Sequence, residues 1–133
     1  MVDPGRFYTK ADGDIFEGVR FRTARAEDWL EYTVPQHWSS AAADVLKENV
    51  FYPGVLPALT RPIEEAGVPS WLWRCEADTA ALENISAEGR HHTEKDIREV
   101  LHRIAGALAY QAWKSRLLTT EEAAKTFYDE LCY

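Results

Sequence analysis

One long helical pattern, between Thr93 and Tyr133, constrains the fold of this chain more than any other feature. In its first half, apolar residues recur at three- and four-residue steps, which is the spacing that lines one face of an α-helix. These residues are Ile97, Val100, Leu101, Ile104, Ala105, Leu108 and Ala112. The pattern predicts a helix over 94–116, capped by the hydroxyl of Thr93, with the whole stripe in the core.

The second half of this region predicts another helix, over 120–133. Thr119 and Glu122 have the spacing of a capping box, and Glu121 adds a second negative charge to the first turn, where the helix dipole favours it. The apolar face of this helix consists of Ala124, Phe127, Tyr128 and Leu131. No Gly, Asn or Pro follows, so we expect the chain to stop inside a helix and to self-associate weakly through this C-terminal face.

Shorter helices are expected before these two. Ser39 or Ser40 can cap a helix over 40–52, because a serine hydroxyl accepts a hydrogen bond from a first-turn N–H group. A short helix is expected around 79–85. Together with the two C-terminal helices, these elements predict a mainly α fold, a small helical domain.

The N-terminal part of the chain is less regular. Residues 14–22 alternate as a strand would, and 29–34 is a second short candidate. The two either pair as a hairpin or lie extended across another surface. We therefore divide the chain into an irregular or short β-like arm, 1–33, and a helical domain, 34–133.

The chain has five tryptophans, which is many for 133 residues. Two of them, Trp71 and Trp73, follow Pro69, which disfavours a helix at the residue before it. Their position predicts an extended or turn segment that holds both rings against neighbouring helices.

Charge and cysteine content exclude several classes of function. The formal charge of −7 argues against a nucleic-acid partner, since there is no basic excess to displace counterions. Arg20, Arg22 and Arg25 fit a solvated strand face. No apolar run is long enough to predict a membrane span. The sequence shows no signal peptide, and Cys75 and Cys132 are far apart, which predicts free thiols in the cytoplasm.

The residues that could bind a metal ion gather before and within the long helix. They are His91, His92, Glu94 and His102. Adjacent histidines point in different directions, and His102 is more than two helical turns beyond Thr93, so these side chains cannot share one ion unless the chain folds back. We expect a polar loop here and no metal site.

Candidate catalytic groups are equally sparse. A nucleophilic cysteine needs an orienting base beside it, whereas Cys75 is expected to be a buried structural thiol and Cys132 to lie on a helix flank. The consecutive carboxylates at 64–65 and 121–122 diverge on a helix, so they make poor acid–base pairs. The residues therefore predict no catalytic, no cofactor-binding and no metal-binding side chain.

Two stretches nevertheless resemble a known family. GVPSWLWRCEADTAAL and REVLHRIAGALAYQAWKSRLLTTEEAAKTFYDELCY are similar to the N-terminal region of class II ribonucleotide reductases, the adenosylcobalamin-dependent enzymes that make deoxyribonucleotides. VPQHWSSAAADVLKENVFYPG resembles a Pro-x-x-Trp-Ser segment of the same family. The resemblance covers 34–133.

The resemblance implies a role as a helical accessory domain that packs on the catalytic barrel of such a reductase, in DNA precursor synthesis. It implies adenosylcobalamin as cofactor of the complete enzyme, but none for this chain alone, since the family's radical cysteine and cobalamin contacts lie C-terminal to this region. The expected partner is the remainder of the reductase. A free-standing helical adaptor derived from such a domain is the alternative, and a small metalloenzyme is a distant third.

Overall fold

The computed structural model describes residues 5–6, 15–25, 31–52 and 54–133. The α-helices of these residues are α1 (Ser40–Asn49), α2 (Thr79–Glu83), α3 (Ile97–Lys114) and α4 (Glu121–Cys132). The strands are β1 (Phe21–Arg25), β2 (Glu31–Pro35), β3 (Leu56–Pro57), β4 (Thr60–Pro62), β5 (Cys75–Ala77) and β6 (His91–His92). They form the two-stranded antiparallel sheets β1–β2, β3–β6 and β4–β5. The mainly α fold class is confirmed.

Strands β1 and β2 form the first sheet, in a register from Phe21 opposite Pro35 to Arg25 opposite Glu31. The strand predicted at 14–22 was placed too early. Residues 15–18 form a turn, closed by a bond from the Val19 N–H group to the Phe16 carbonyl, with Gly18 at a positive φ. Residues 26–30, which include part of the second predicted strand, lie outside the described residues. The division at 33–34 stays a prediction, although β2 crosses it.

The start of α3 differs from the prediction because β2 binds the chain just before it. The N–H group of Thr33 donates to the Lys95 carbonyl at 2.6 Å, which holds this part of the chain beside the strand. The helix therefore begins at Ile97, and the Asp96 carboxylate caps it by accepting from the Arg98 N–H group at 2.9 Å. The predicted cap at Thr93 is wrong.

The first core lies where the β1–β2 sheet and α1 cover the start of α3. Its buried members are Ala24, Tyr32, Val34, Ala43, Leu46, Ile97 and Val100. Ser39 caps α1, as predicted, by accepting from the Ala42 N–H group at 3.1 Å. This helix ends at Asn49, earlier than expected, and Val50 and Phe51 pack against the core.

The second core lies where α4 and the segment that carries Trp71 and Trp73, called the tryptophan segment below, cover the end of α3. Its buried members are Val68, Leu72, Ala109, Tyr110, Ala112, Leu118 and Ala124. Trp71 lies within a 3₁₀ turn at Ser70–Leu72, and Trp73 follows it directly. Both rings pack against this core, which confirms the predicted role of the segment. The cap of α4 is Thr120 and not Thr119, since the Thr120 hydroxyl accepts from the Ala123 N–H group.

The apolar stripe of α3 is only half buried. Ile97 is 3% exposed, whereas Ile104 and Leu108 are 43% and 48% exposed, so the prediction that the whole stripe is core is wrong. The reason is that the first core covers the start of α3 only. On α4, Phe127 and Tyr128 pack against the second core, and Leu131 is left exposed.

Candidate functional site

An open cleft of about 660 Å³ lies between the tryptophan segment and α3. One wall is formed by Trp71, Leu72, Trp73, Arg74 and Cys75, and the other by His102, Arg103, Gly106, Ala107, Tyr110 and Gln111, with Thr60 at the edge. The cleft combines aromatic rings with cationic side chains, and it is therefore the candidate functional site of the described residues.

The aromatic wall is fixed by bonds to the backbone of the preceding loop. The Trp73 indole N–H group points at the Val68 carbonyl, 2.9 Å away, and lies 3.2 Å from that of Glu65. From α3, the Trp113 indole donates to the Gly67 carbonyl at 2.7 Å. Trp71 meets the Tyr128 ring edge-on, with 5.8 Å between ring centroids. The rings are therefore held in place by both α3 and α4.

Glu65 connects the loop to α3. Its carboxylate accepts from the Tyr110 hydroxyl at 2.6 Å and pairs with the Lys114 ammonium group. The hydrogen bonds from Lys114 and Tyr110 lower the pKa of Glu65, and the bond to Glu65 raises the pKa of Tyr110. Arg74 lies over the Tyr110 ring, 5.1 Å from its centroid. Through these contacts Glu65 links its loop to Tyr110 and Lys114 of α3.

Arg103 makes a second connection, between α3 and the first core. Its guanidinium donates to both carboxylate oxygens of Glu94, at 3.0 and 3.1 Å, and to the Val50 carbonyl at 2.9 Å. The buried Glu94 carboxylate also accepts from the Tyr52 N–H group at 3.0 Å. Burial raises the pKa of Glu94, but the bonds from Arg103 and Tyr52 outweigh it, so the pKa lies below its ordinary value.

The structure separates the residues that were weighed as metal ligands. His92 contacts Glu99 at 2.9 Å, His102 contacts the Tyr128 hydroxyl at 2.8 Å, and Glu94 binds Arg103. His91 is exposed. In the part of the chain that the structure describes, no group of three or more His, Cys, Asp or Glu side chains could hold a metal ion.

The two cysteines differ in their surroundings. Cys75 is exposed in the cleft wall, at the start of β5, so the prediction of a buried thiol is wrong for this residue. Cys132 is buried against α3, with its Sγ atom 3.9 Å from the Leu101 carbonyl. Burial raises the pKa of the Cys132 thiol, which disfavours the reactive thiolate.

Sequence reasoning missed Glu65, Glu94 and Arg103 as connectors. Each acts across a loop or between elements, at separations that no helical or strand period predicts. Glu65 was grouped with Glu64 as first-turn charge, and Glu94 was read as a possible ligand.

Comparison with known proteins identifies the family to which this chain is similar. A family model described as class II vitamin B12-dependent ribonucleotide reductase matches 25–133. The vitamin B12-dependent ribonucleotide reductase of Agrobacterium fabrum (strain C58) is 36% identical over 138 residues, and that of Bradyrhizobium diazoefficiens is 40% identical over 140 residues. Each alignment covers 96% of this chain and 11% of the relative.

The chain belongs to the class II vitamin B12-dependent ribonucleotide reductase family. The resemblance found at 34–133 is confirmed, and the match extends through β2 to the end of β1. The chain spans about 11% of the length of these reductases and corresponds to their N-terminal domain. Among its described residues, no helix is long and apolar enough to cross a membrane.

Proposed function

We propose that this chain is the N-terminal accessory domain of an adenosylcobalamin-dependent ribonucleotide reductase, and that it packs on the catalytic barrel of that enzyme in the cytoplasm. The observation that supports the proposal is the family match over 25–133, which includes nearly every residue of both cores. The relatives that share this region are named as reductases and are far longer than this chain.

In this proposal the work of the complete enzyme is divided between two parts. The remainder of the polypeptide binds the nucleotide and the adenosylcobalamin, which supplies the radical chemistry when bound. This chain supplies a domain that is already folded before it docks. Arg103 holds the end of α1 and the segment before α3 together, and Glu65 holds the tryptophan loop on α3. A body that is already ordered loses little entropy when it docks on its partner.

A domain exchange tests the proposal. The matching region of the Agrobacterium fabrum reductase is either deleted or replaced by this chain, and deoxyribonucleotide formation is measured with adenosylcobalamin and a reductant. We expect the deletion to lose most of the activity and the replacement to restore it. A third protein carries this chain with Leu46→Asp, which places a charge in the first core and should behave like the deletion.

Two results would contradict the proposal. A deletion protein as active as the parent enzyme would show that the domain is dispensable. A folded replacement protein no more active than the deletion would show that this chain does not serve the reductase, and would support the free-standing adaptor instead.

A further inference from the structure

Helix α3 leaves an apolar ridge uncovered in its second half. The ridge consists of Ile104, Ala107 and Leu108, all exposed, at the three- and four-residue steps that place side chains on one helix face. Ile97 and Leu101 continue the same face towards the start of the helix, where the first core covers them. The face is thus one apolar surface, and the first core covers only its start.

The cover ends there because the first core takes only the start of α3, through Ile97, Val100 and Leu101. On other sides of the second half of α3, α4 and the tryptophan segment meet this helix at the second core, and Ala107 borders the open cleft. A further element could pack on the exposed Ile104 and Leu108 side chains without displacing α4 or the tryptophan segment.

The direction of α4 brings its C-terminal end to this surface. Tyr128 of α4 contacts His102 of α3, and Cys132, at the end of α4, contacts the Leu101 carbonyl. Helix α4 therefore runs antiparallel to α3, towards the start of that helix. The last turn of α4 therefore lies about one helical turn of α3 away from Ile104. In a reductase of the relatives' length, the polypeptide that continues beyond this N-terminal domain leaves it close to the ridge.

We infer that the ridge of Ile104, Ala107 and Leu108 is a docking surface, and that an apolar element of the reductase polypeptide that follows this domain packs on it. The inference rests on the proposed function and names the surface through which the domain packs. Arg103, which borders the ridge, is already paired with Glu94, so the partner needs no carboxylate there. The relatives carry about nine-tenths of their length outside the matched region, enough to supply such an element.

Cysteine labelling reports directly whether the ridge is covered. Leu108→Cys and Val45→Cys are made separately in a Cys75→Ser background, both in the isolated chain and in the Agrobacterium fabrum reductase that carries this chain as its N-terminal domain. Val45 is a matched control, since it is 57% exposed on α1. Labelling by a maleimide is followed by mass spectrometry of the tryptic peptides 104–114 and 26–47, neither of which contains another cysteine.

We expect both cysteines to react at similar rates in the isolated chain. In the reductase, the labelling rate of Leu108→Cys should fall by a factor of about ten or more, because a covered thiol is inaccessible. The labelling rate of Val45→Cys should not change. Equal rates at Leu108→Cys in the two proteins would overturn the inference. Protection already present in the isolated chain, and lost on dilution, would also overturn it by assigning the ridge to a second copy.

The labelling result is independent of the activity that tests the proposed function. An active reductase with a fully reactive Leu108→Cys would keep the proposed function and reject this surface.

Discussion

The two cores of this domain are built differently although they share one helix. The first joins a strand pair, α1 and the start of α3, and it draws on residues from Ala24 to Val100. The second joins the tryptophan loop, the end of α3 and α4, from Val68 to Ala124. The first core combines aliphatic side chains with the buried ring of Tyr32, and the buried carboxylate of Glu94 lies beside it. Rings that donate to backbone carbonyls characterise the second.

The difference shows how one helix can serve two kinds of packing. At the first core, α3 contributes Ile97 and Val100, which pack against strands. At the second, it contributes Ala109 and Ala112, whose small side chains leave room for α4 and for the tryptophan rings. We conclude that α3 makes the two cores one folding unit, which the following predictions test.

The largest effects are expected from truncating a buried leucine in either core. Leu46→Ala in the first core and Leu72→Ala in the second should each lower the free energy of unfolding by about 2–5 kcal/mol, through lost burial and a residual cavity. Urea unfolding, followed by tryptophan fluorescence and by far-ultraviolet circular dichroism, measures both values.

The same experiment tests whether the cores are coupled. If α3 joins them, each variant shifts one transition that both probes report at the same urea concentration. Val45→Ala, on the exposed side of α1, is the control and should change little. Two separate transitions, one for each core, would contradict a single unit.

A smaller loss is expected from the buried Glu94 carboxylate beside the first core. Glu94→Gln should cost about 1.5–3 kcal/mol, because the charged bonds with Arg103 are replaced by weaker neutral ones. Glu65→Gln in the second core should have the smaller effect, since Glu65 is more exposed and its bonds are screened. An equal loss at both sites, measured by urea unfolding, would remove this difference between the cores.

The pH dependence of the free energy of unfolding also reports on Glu94. The pKa of Glu94 is lower in the folded chain than its ordinary value of 4.5, so the unfolded chain binds the proton more readily. The contribution of Glu94 is therefore present above about pH 4.5 and is lost as the pH falls through the folded value. The parent should lose more stability between neutral pH and pH 3 than Glu94→Gln does. Identical pH profiles would show that Glu94 contributes nothing.

The sequence was a better guide to the second core than to the first. Periodicity located α3 and α4, and Pro69 with its neighbouring tryptophans located the segment that packs on them, because these elements are close in sequence. The start of α3 could not be predicted, since the bond from Thr33 to Lys95 comes from a distant strand. Periodicity also could not show that Ile104 is left exposed while Ile97 is buried. For the functional site, spacing excluded a shared metal ion, but it could not reveal the Glu65 and Glu94 connections.

The smallest effect is expected at the uncovered ridge between the cores. Ile104→Ala in the isolated chain should change the free energy of unfolding by less than about 1 kcal/mol, since Ile104 is already 43% exposed. Leu101→Ala, one turn earlier on the same face and packed against the first core, should cost more. Thermal unfolding of the two variants decides, and an equal loss in both would mean that Ile104 is as buried as Leu101.

The central claim is that this chain is an accessory domain and that the cofactor site lies elsewhere in the reductase. Calorimetric titration of the isolated chain with adenosylcobalamin tests it most directly, with the complete Agrobacterium fabrum reductase as the positive control. The account predicts no saturable heat for the chain under conditions in which the complete enzyme binds. Saturable binding at micromolar concentrations would contradict the account and place part of the cofactor site within these 133 residues.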